Sequence, residues 1–491
     1  MDGRSRTRRE FLKTAGLGVG LLLFSGCTGG PAVFEGGGKK RPNILFAIAD
    51  DWSWPHASIA GDKVVKTPTF DRVAREGVMF TNAFVSAPSC TPSRGAILTG
   101  QWHWRLEDGG NLFGTLPAKF AVYPDLLEEA GYHVGYMRKG WSPGQYKPGG
   151  WRRNPAGPRY NNFTEFFEAR GEGRPFCFWF GSSDPHRGYK WRSGVDSGMK
   201  MEDVEVPACL PDNETVRTDI CDYFWEVQRF DRQVGEILKM IEDAGELDNT
   251  LVVITSDNGM PFPRCKSNIY DMGTHVPLAV RWGSRVKGRR IVEDFISLSD
   301  LAPTFLEAAG LKPTKEMTGR SFLNVLTSGK SGRVDRKRDK VFTGKERHTV
   351  CRPGGASYPM RAIRTHDFLY IRNFRPDLWP AGDPVAEPSY WPNWPYADID
   401  DSPTKSYMME HEEEAGVSKL FELGFGKRPA EELYDLRKDP GELNNLADDP
   451  EYAEVKQKLS AALMAELKAT SDPRIVGGAD AFDKYPFYGG E

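Results

Sequence analysis

The stretch Pro42–Asp51, "PNILFAIADD", decides the fold class. An unbroken run of apolar residues follows Asn43, and it ends at two adjacent carboxylates, Asp50 and Asp51. A short apolar run without polar alternation, bounded by proline and acidic residues, predicts a strand that is buried on both faces. Asp50 and Asp51 then stand at the carboxyl end of that strand.

Segments of the same kind recur along the chain, with helical patterns between them. Further buried strands are predicted at "RPFCFWF" (174–180), "NTLVVITS" (249–256) and "VPLAVRW" (276–282), and helices at 68–76 and about 214–244. This alternation predicts an α/β fold with a large, mostly parallel mixed sheet flanked by helices. After about residue 345, "YPMRAIRTHDFLYIRNF" (358–374) predicts two strands around a tight turn, and a helix follows at about 450–469. A smaller C-terminal α+β subdomain with an antiparallel sheet is therefore expected.

The N-terminus has the pattern of an export signal. "TRREFLK" (7–13) places two arginines ahead of an apolar run, which resembles a twin-arginine signal of a bacterial cell. The run ends in "FSGC" (24–27), a degenerate lipoprotein box in which Cys27 would carry the lipid; an ordinary signal cleaved nearby is an equal alternative. The predicted segments are a signal at 1–27, a flexible tether at 28–41, a large domain at 42–345 and the C-terminal subdomain at 346–491. A periplasmic or cell-surface location follows, with membrane attachment if Cys27 is lipidated.

Composition excludes several classes of protein. The formal net charge is −3 and the pI is about 6.3, so no basic stripe indicates nucleic acid as a partner. The seven cysteines contain no CxxC pair and lack the spacing of a zinc site or a disulfide scaffold. Some of them could still pair in an oxidising compartment, and the sequence leaves those pairs open.

Three predicted strands end in polar residues. Because ligands bind at the carboxyl ends of strands in open α/β sheets, these residues are candidates for one site. They are Asp50 and Asp51, then Asp184 and His186, then Asp257 and Asn258. An oxygen-only ligand set of Asp50, Asp51, Asp257 and Asn258 suits Ca²⁺, and Mg²⁺ less well, whereas zinc prefers nitrogen and sulfur.

The stretch "CTPSRGAILTG" (90–100) matches the motif C-x-P-S-R-x-x-x-L-T-G residue for residue. On this motif the chain resembles the type I sulfatases of the alkaline phosphatase superfamily. The resemblance implies that Cys90 is oxidised to formylglycine by a formylglycine-generating or sulfatase-maturating enzyme and becomes a fifth metal ligand. In the hydrated aldehyde one oxygen would attack sulfur and the other would later expel sulfate. Pro92 suits a helix start, Ser93 can bond the first turn, and Arg94 would hold the formylglycine and the carboxylates.

Other segments extend the resemblance over nearly the whole chain beyond the signal. Lys139 in "AGYHVGYMRKGW" (130–141) stands where the family contacts formylglycine and sulfate, and Lys266 in "KSNIYDMGTHVP" (266–277) where it grips sulfate. "SDPHRGY" (183–189) and "ELYDLRKDPGELNNLADDP" (432–450) resemble the heparan N-sulfatase (sulfamidase) branch. The resemblance implies that His186 protonates the leaving group, a role for which histidine is suited, and that Asp257 or a neighbouring carboxylate is the base.

The chain departs from the family at two positions. Trp141 stands where the family commonly has a histidine, and His275 where many members have an arginine. His348 in "GKERH" (344–348) is a second histidine source, and His103 opens "HWRLEDGGNLFG" (103–114), a candidate subsite wall. We predict Trp141, His275, His348 and His103 as substrate contacts.

The resulting functional prediction is hydrolysis of a sulfate ester, or a sulfamate, on a carbohydrate. Export suits a large substrate such as a sulfated polysaccharide or its oligosaccharides. One alternative is a phosphonate monoester or phosphodiester hydrolase on the same scaffold. Another is a non-catalytic glycan-binding lipoprotein, which would be expected to have lost nucleophile or metal residues; in this chain they are all present.

Overall fold

A computed structural model describes residues 40–478 and 480–489. The predicted export signal, Cys27 and residues 28–39 of the predicted tether lie outside the described residues, so their interpretation stays a prediction. Among the described residues the strands are β1 (Asn43–Ala49), β2 (Val78–Phe80), β3 (Ala83–Phe84), β4 (His133–Arg138), β5 (Arg159–Tyr160), β6 (Phe176–Gly181), β7 (Thr250–Ser256), β8 (Leu278–Arg281), β9 (Arg290–Val292), β10 (Ile296–Ser297), β11 (Lys340–Lys345), β12 (Met360–Thr365), β13 (Phe368–Asn373) and β14 (Glu431–Asp435).

The α-helices lie mainly between these strands, as the alternating pattern predicts. They are α1 (Pro68–Glu76), α2 (Cys90–Thr99), α3 (Tyr123–Glu129), α4 (Phe163–Ala169), α5 (Ser193–Asp196), α6 (Glu214–Asp243), α7 (Asp271–Thr274), α8 (Leu301–Ala308), α9 (Leu323–Thr327), α10 (Pro403–Glu410), α11 (Ser418–Phe425), α12 (Ala453–Ala469), α13 (Pro473–Val476) and α14 (Ala481–Lys484). In the described part of the chain, no helix combines the length and apolar character that a membrane crossing requires.

The large sheet has eight strands in the order β5-β4-β6-β1-β7-β8-β2-β9. Strand β8 runs antiparallel to β7 and β2, and the other pairings are parallel. The predicted mostly parallel mixed sheet flanked by helices is therefore confirmed. The predicted C-terminal antiparallel sheet is also confirmed, with the order β11-β12-β13-β14. Strand β11 already begins at Lys340, and the domain boundary placed after residue 345 stays a prediction.

Strand β1 is covered by helices on both faces. Leu45 and Ala47 pack into the core that contains the apolar side of α6, whereas Ile44 and Phe46 pack into the opposite core with residues of α2 and α8. Successive side chains of a strand point to opposite faces, so a strand between two helical layers needs apolar residues at every position. This is why "NILFAIA" shows no polar alternation.

Backbone hydrogen bonds bring the ends of β1, β6 and β7 to one edge. The Asp50 amide donates to the Asp184 carbonyl at 3.0 Å, and the Asp257 amide donates to the Ala49 carbonyl at 3.2 Å. These bonds continue the pairing just past the strands, and they place the polar residues that follow each strand beside one another.

A buried arginine joins the C-terminal sheet to the last helices. Arg361 on β12 donates from Nε to Asp472 Oδ2 at 2.6 Å and from Nη2 to Glu346 Oε1 at 2.6 Å. All three side chains are fully buried, and Asp472 caps α13. Removing one partner of a buried ion pair leaves an uncompensated charge, which costs far more than the loss of an exposed pair.

We expect Arg361→Ala to lower the free energy of unfolding by about 3 kcal/mol or more, because Asp472 and part of Glu346 lose their compensating charge. Arg372→Ala on the neighbouring β13 is the control, since Arg372 pairs with Glu431 at 3.5 Å in a partly exposed position and should change the free energy by less than about 1 kcal/mol. Urea unfolding of both variants tests this. Similar losses in the two variants would contradict it.

His275, a predicted substrate contact, packs among aromatic rings. Its ring stacks on Phe84 with 4.4 Å between centroids, and Trp54 lies on it at 5.7 Å. Nε2 donates to the Thr81 carbonyl at 2.8 Å. Burial lowers the pKa of His275 to about 4, with Asp271 opposing this shift and Arg364 adding to it. These contacts are those of a packed core histidine, and they give no support to a substrate role, which stays a prediction.

A histidine whose pKa is lowered by folding destabilises the protein in acid. The unfolded chain takes up a proton at this histidine below about pH 6.5, whereas the folded chain does so only near pH 4. The free energy of unfolding is therefore unaffected above pH 6.5 and decreases as the pH falls towards 4. We expect His275→Gln to reduce the fall in unfolding free energy between pH 7 and pH 4 by up to about 3 kcal/mol. Denaturant unfolding at several pH values measures this. Equal pH slopes in variant and wild type would rule out His275 as a source of the acid sensitivity.

Candidate active site

Four acidic or thiol side chains meet at the edge where β1, β6 and β7 end. One ligand atom from each of Asp50, Asp51, Cys90 and Asp257 lies within 4.8 Å of the other three, and all four residues are buried. The structure thus brings together residues that are up to 207 positions apart in the chain. Asn258 joins them, donating from Nδ2 to Asp51 Oδ1 at 2.6 Å.

The backbone at Asp51 is bent to present its carboxylate to this cluster. Its φ is +82°, in the left-handed region that residues with a side chain rarely occupy. The Asp51 amide donates to Asp257 Oδ1 at 3.1 Å, and the Trp52 amide donates to Ser256 Oγ at 2.7 Å. These bonds hold the turn in place and offset the cost of the strained conformation.

Arg94 locks helix α2 against the cluster. Its fully buried guanidinium donates from Nε to Asp257 Oδ2 at 2.7 Å, and Nη1 donates to the carbonyls of Lys139 and Gly140 at 2.9 and 3.0 Å. Gly181 at the end of β6 allows this approach, because a Cβ there would lie 1.7 Å from the Lys139 carbonyl oxygen. Arg94 therefore fixes Cys90, at the first position of α2, beside the carboxylates.

Two lysines add positive charge to the cluster, each through a different carboxylate. Lys139 Nζ donates to both oxygens of Asp50 at 2.7 and 2.6 Å, and Lys266 Nζ donates to Asp51 Oδ2 at 2.8 Å. Burial alone would lower the pKa of each lysine, but the carboxylates around them outweigh it and raise the pKa of both. Both ammonium groups are therefore charged, and both can bind an anion.

The carboxyl groups of Asp50 and Asp257 respond differently to burial. Burial raises the pKa of Asp257 to about 6, with Arg94 opposing the shift. Burial also acts to raise the pKa of Asp50, but Lys139, His186 and Arg94 together hold it below its ordinary value. Asp50 is thus the permanently ionised member of this pair.

Cys90 is a neutral thiol in this environment. Its Sγ donates to Asp50 Oδ1 at 3.4 Å, and burial together with the neighbouring carboxylates raises its pKa well above the ordinary value, against the effect of Lys139. The thiolate, rather than the thiol, is the nucleophilic form of cysteine. Unmodified Cys90 is therefore a poor nucleophile at neutral pH.

His186 stands at the opening of the cluster. Its Nε2 lies 4.0 Å from Asp51 Oδ2, and 38% of its side chain is exposed, in contrast to the buried carboxylate. Its Nδ1 lies 3.2 Å from the Arg187 carbonyl, which can only accept, so Nδ1 carries a proton. The position suits a group that exchanges a proton with a bound molecule.

Asp400 is a site residue that the sequence interpretation missed. Lys266 Nζ donates to Asp400 Oδ2 at 2.9 Å, and atoms of Asp51, His186 and Asp400 lie within 4.8 Å of one another. Asp400 follows no strand and belongs to no motif; the acidic segment "DIDD" (398–401) gives the only sequence signal. It holds Lys266 from the side opposite Asp51.

The remaining predicted substrate contacts occupy different places. His348 lies beside the cluster, with Nδ1 2.8 Å from Ser89 Oγ, and burial lowers its pKa to about 3. Trp141 and His103 are buried, and His103 Nδ1 bonds Ser86 Oγ at 2.9 Å. The Ser93 hydroxyl, expected to bond the first turn of α2, has no partner among the described residues. The substrate roles of His348, Trp141 and His103 stay predictions.

The donor set fits a divalent cation. Asp50, Asp51 and Asp257 offer carboxylate oxygens, and Asn258 Oδ1 is buried with no hydrogen-bond partner in the described part of the chain. An unpaired buried oxygen calls for a partner, and a hard cation coordinated by oxygens supplies one. A set of oxygen donors without a histidine favours Ca²⁺ or Mg²⁺ over zinc.

Known proteins resemble this chain over most of its length. The family model described as "Sulfatase" matches residues 42–311, and the model described as "N-sulphoglucosamine sulphohydrolase, C-terminal" matches residues 265–395. An ulvan-active sulfatase of Formosa agariphila is 27% identical over 91% of this chain and 78% of its own length. Human N-sulphoglucosamine sulphohydrolase is 28% identical over 89% of this chain and 92% of its own length.

The solved structures confirm the fold. A phosphonate monoester hydrolase of Agrobacterium radiobacter superposes with a TM-score of 0.65, at 18% identity, over 88% of this chain and 97% of its own. At that identity the likeness shows a shared alkaline phosphatase-like fold and does not choose the reaction. The family model covers more than half of the chain, including the whole edge at which Cys90 meets the carboxylates. The chain therefore belongs to the sulfatase family, with a C-terminal part of the N-sulphoglucosamine sulphohydrolase type, and it is a sulfatase.

Proposed function

We propose that this sulfatase removes sulfate, as an ester or a sulfamate, from a carbohydrate, using a formylglycine made from Cys90 and a bound Ca²⁺ ion. The observation that carries the proposal is the meeting of Cys90 with three carboxylates and two charged lysines at one edge of the sheet. Relatives named for ulvan and for N-sulphoglucosamine support a sulfated glycan as the substrate class.

The residues present define what each added group would contribute. Asp50, Asp51, Asp257 and Asn258 would hold the cation, which supplies positive charge next to the reacting sulfate. Formylglycine at position 90 would supply, as its hydrate, a hydroxyl nucleophile where the cysteine offers only a neutral thiol. A sulfatase-maturating or formylglycine-generating enzyme is then a required partner.

Lys139, Lys266 and Arg94 prepare the site for an anion. The two ammonium groups reach the cluster at different carboxylates, so the oxygens of a sulfate bound there would be stabilised by both as their charge grows. Arg94 holds position 90 at a fixed position relative to the carboxylates through its bond to Asp257. His186, partly exposed at the opening, would give its proton to the oxygen or nitrogen that leaves sulfur.

Export remains part of the proposal. The paired arginines Arg8 and Arg9, the apolar run after them and Cys27 support passage out of a bacterial cell, with a lipid anchor as one of two endings. A periplasmic or surface location would expose the enzyme to polysaccharides too large to enter the cytoplasm.

We expect the peptide that contains Cys90, from protein made with a maturating enzyme, to be about 18 Da lighter than the cysteine form, because the thiol becomes an aldehyde. Mass spectrometry of a proteolytic digest measures this. Cys90→Ala should lower kcat/KM for sulfate esters by at least about 10³-fold, because the nucleophile is lost. Cys177→Ala, another buried cysteine, is the matched control and should keep the activity.

The same assay separates the reaction classes. The wild-type protein should hydrolyse 4-nitrophenyl sulfate and sulfated sugars with a higher kcat/KM than 4-nitrophenyl phosphate or a phenylphosphonate ester. A preference for the phosphonate would identify the phosphonate monoester hydrolase alternative. An unmodified Cys90 in active protein would refute the formylglycine mechanism.

We expect Asn258→Ala to weaken Ca²⁺ binding about tenfold, because the unpaired Oδ1 of Asn258 is one of the proposed ligand atoms. Titration calorimetry on metal-free protein measures the affinity, and a chelator should abolish activity that added Ca²⁺ restores. Asn373→Ala is the matched control, since Asn373 is also buried with an unpaired Oδ1 but lies on β13. Equal loss of affinity in both variants would count against Asn258 as a ligand.

A further inference from the structure

Two tryptophans stand out on the surface near the site. Among the tryptophans of the described residues, Trp191 and Trp394 are the most exposed, with 46% and 39% of their surface open to solvent. An exposed aromatic side chain does not contribute to stability through burial. Two such side chains near one another indicate a surface used for binding.

Both tryptophans line cavities, and the two cavities share residues. Trp191 lines a cavity of about 360 Å³ and Trp394 one of about 240 Å³, and Asp401 and Ser406 line both. We call the surface formed by Trp191, Asp401, Ser406 and Trp394 the tryptophan groove. Together the two cavities fall within the size range of small-molecule sites, and the two aromatic residues lie on either side of shared polar groups.

The groove is built from chain segments that also carry active-site residues. Asp401 directly follows Asp400, which bonds Lys266, and the segment with Trp191 begins five residues earlier at His186. His186 and Asp400 themselves meet at Asp51. A ligand with one end in the active site could therefore continue into the groove.

The side chains of the groove suit a sugar chain. A sugar ring has flat C–H faces that pack on an aromatic ring and hydroxyl edges that bond to carboxylates and hydroxyls, and the groove offers both kinds of partner. Among the residues that line the two cavities, the exposed charges are the carboxylates of Asp401 and Glu410. Lys405 is buried and bonds the Tyr396 and Ile399 carbonyls, and Arg187 is paired with Asp219. A densely sulfated segment would be repelled there.

We propose that the tryptophan groove binds the uncharged, hydroxyl-rich glycan units next to the sulfated residue, so that the enzyme acts on chains in preference to single sugars. This inference rests on the proposed function, because it extends the same substrate beyond the sulfate. The occupant is a glycan and not a protein, since a specific protein interface needs roughly 800 Å² on each partner around an apolar centre, and the centre of this groove is polar.

The test compares long and short substrates. In the doubly substituted variant Trp191→Ala/Trp394→Ala, KM for singly sulfated ulvan oligosaccharides should rise about tenfold or more, since both stacking surfaces are lost. The kcat/KM for 4-nitrophenyl sulfate, which is too small to reach the groove, should stay within about twofold. Replacement by phenylalanine should restore most of the affinity. Val385→Ala, at another exposed apolar residue, is the control and should change neither constant.

A second measurement tests glycan binding to the groove independently of sulfate hydrolysis. The Cys90→Ala protein, which cannot form the nucleophile, is titrated with ulvan, heparan sulfate and chondroitin sulfate oligosaccharides in a calorimeter, with and without the two tryptophan substitutions. Binding that disappears with Trp191 and Trp394 supports the groove even if the wild type releases no sulfate, in which case the proposed function fails alone. The proposal for the groove would be overturned by binding that is independent of both tryptophans or by no binding to any of these glycans. An equal loss of activity on 4-nitrophenyl sulfate would also overturn it.

Discussion

The rest of this structure depends on how the repulsion between three buried carboxylates is compensated. Asp50, Asp51 and Asp257 converge at one sheet edge where water is excluded, and such an arrangement persists only if positive charge compensates it. Arg94 supplies that charge from α2, Lys139 from the end of β4, and Lys266 from the loop after β7. Each of the three cations hydrogen-bonds a different one of the three carboxylates, and Arg94 also lies 3.6 Å from Asp50. The elements that carry them are therefore held in fixed positions around the site.

This compensation links distant parts of the chain. Helix α2 is buried along its whole length and is anchored by Arg94, so position 90 moves only if the helix moves. Lys266 is held between Asp51 and Asp400, and Asp400 belongs to a segment more than a hundred residues further along. The segment around Asp400 thus completes a site whose other members follow β1, β4, β6 and β7 of the large sheet or open α2. Lys266 therefore ties the segment around Asp400 to the carboxylate at the end of β1.

Most strands of the large sheet, and the cluster of Cys90 with the three carboxylates, could be predicted from the sequence. The strands β1, β6 and β7 are continuous apolar runs, which identify them as buried strands. The motif around Cys90 is too specific to be explained by an ordinary helix start, so it could also be recognised without coordinates. Asp400 could not, because nothing in a proline-rich loop shows which carboxylate will meet Lys266; only the folded path of the loop decides it. The substrate roles of His275 and His103 stay predictions, but the structure gives both residues neighbours: His275 stacks on Phe84 and bonds the Thr81 carbonyl, and His103 bonds Ser86 Oγ. Local pattern does not record such neighbours.

The burial of Cys90 has a consequence for the order of events in the cell. Only 2% of this residue is accessible, and every residue of the helix that it opens is buried as well. The maturating enzyme that the proposed function requires would have to reach this thiol, and the packed helix leaves it almost no access. If Cys90 is oxidised as we propose, the oxidation would therefore have to precede the docking of α2, while the segment is still unfolded. A twin-arginine signal implies a cargo that folds before export, so the maturating enzyme and this chain would have to meet in the cytoplasm, within the time that the chain takes to fold.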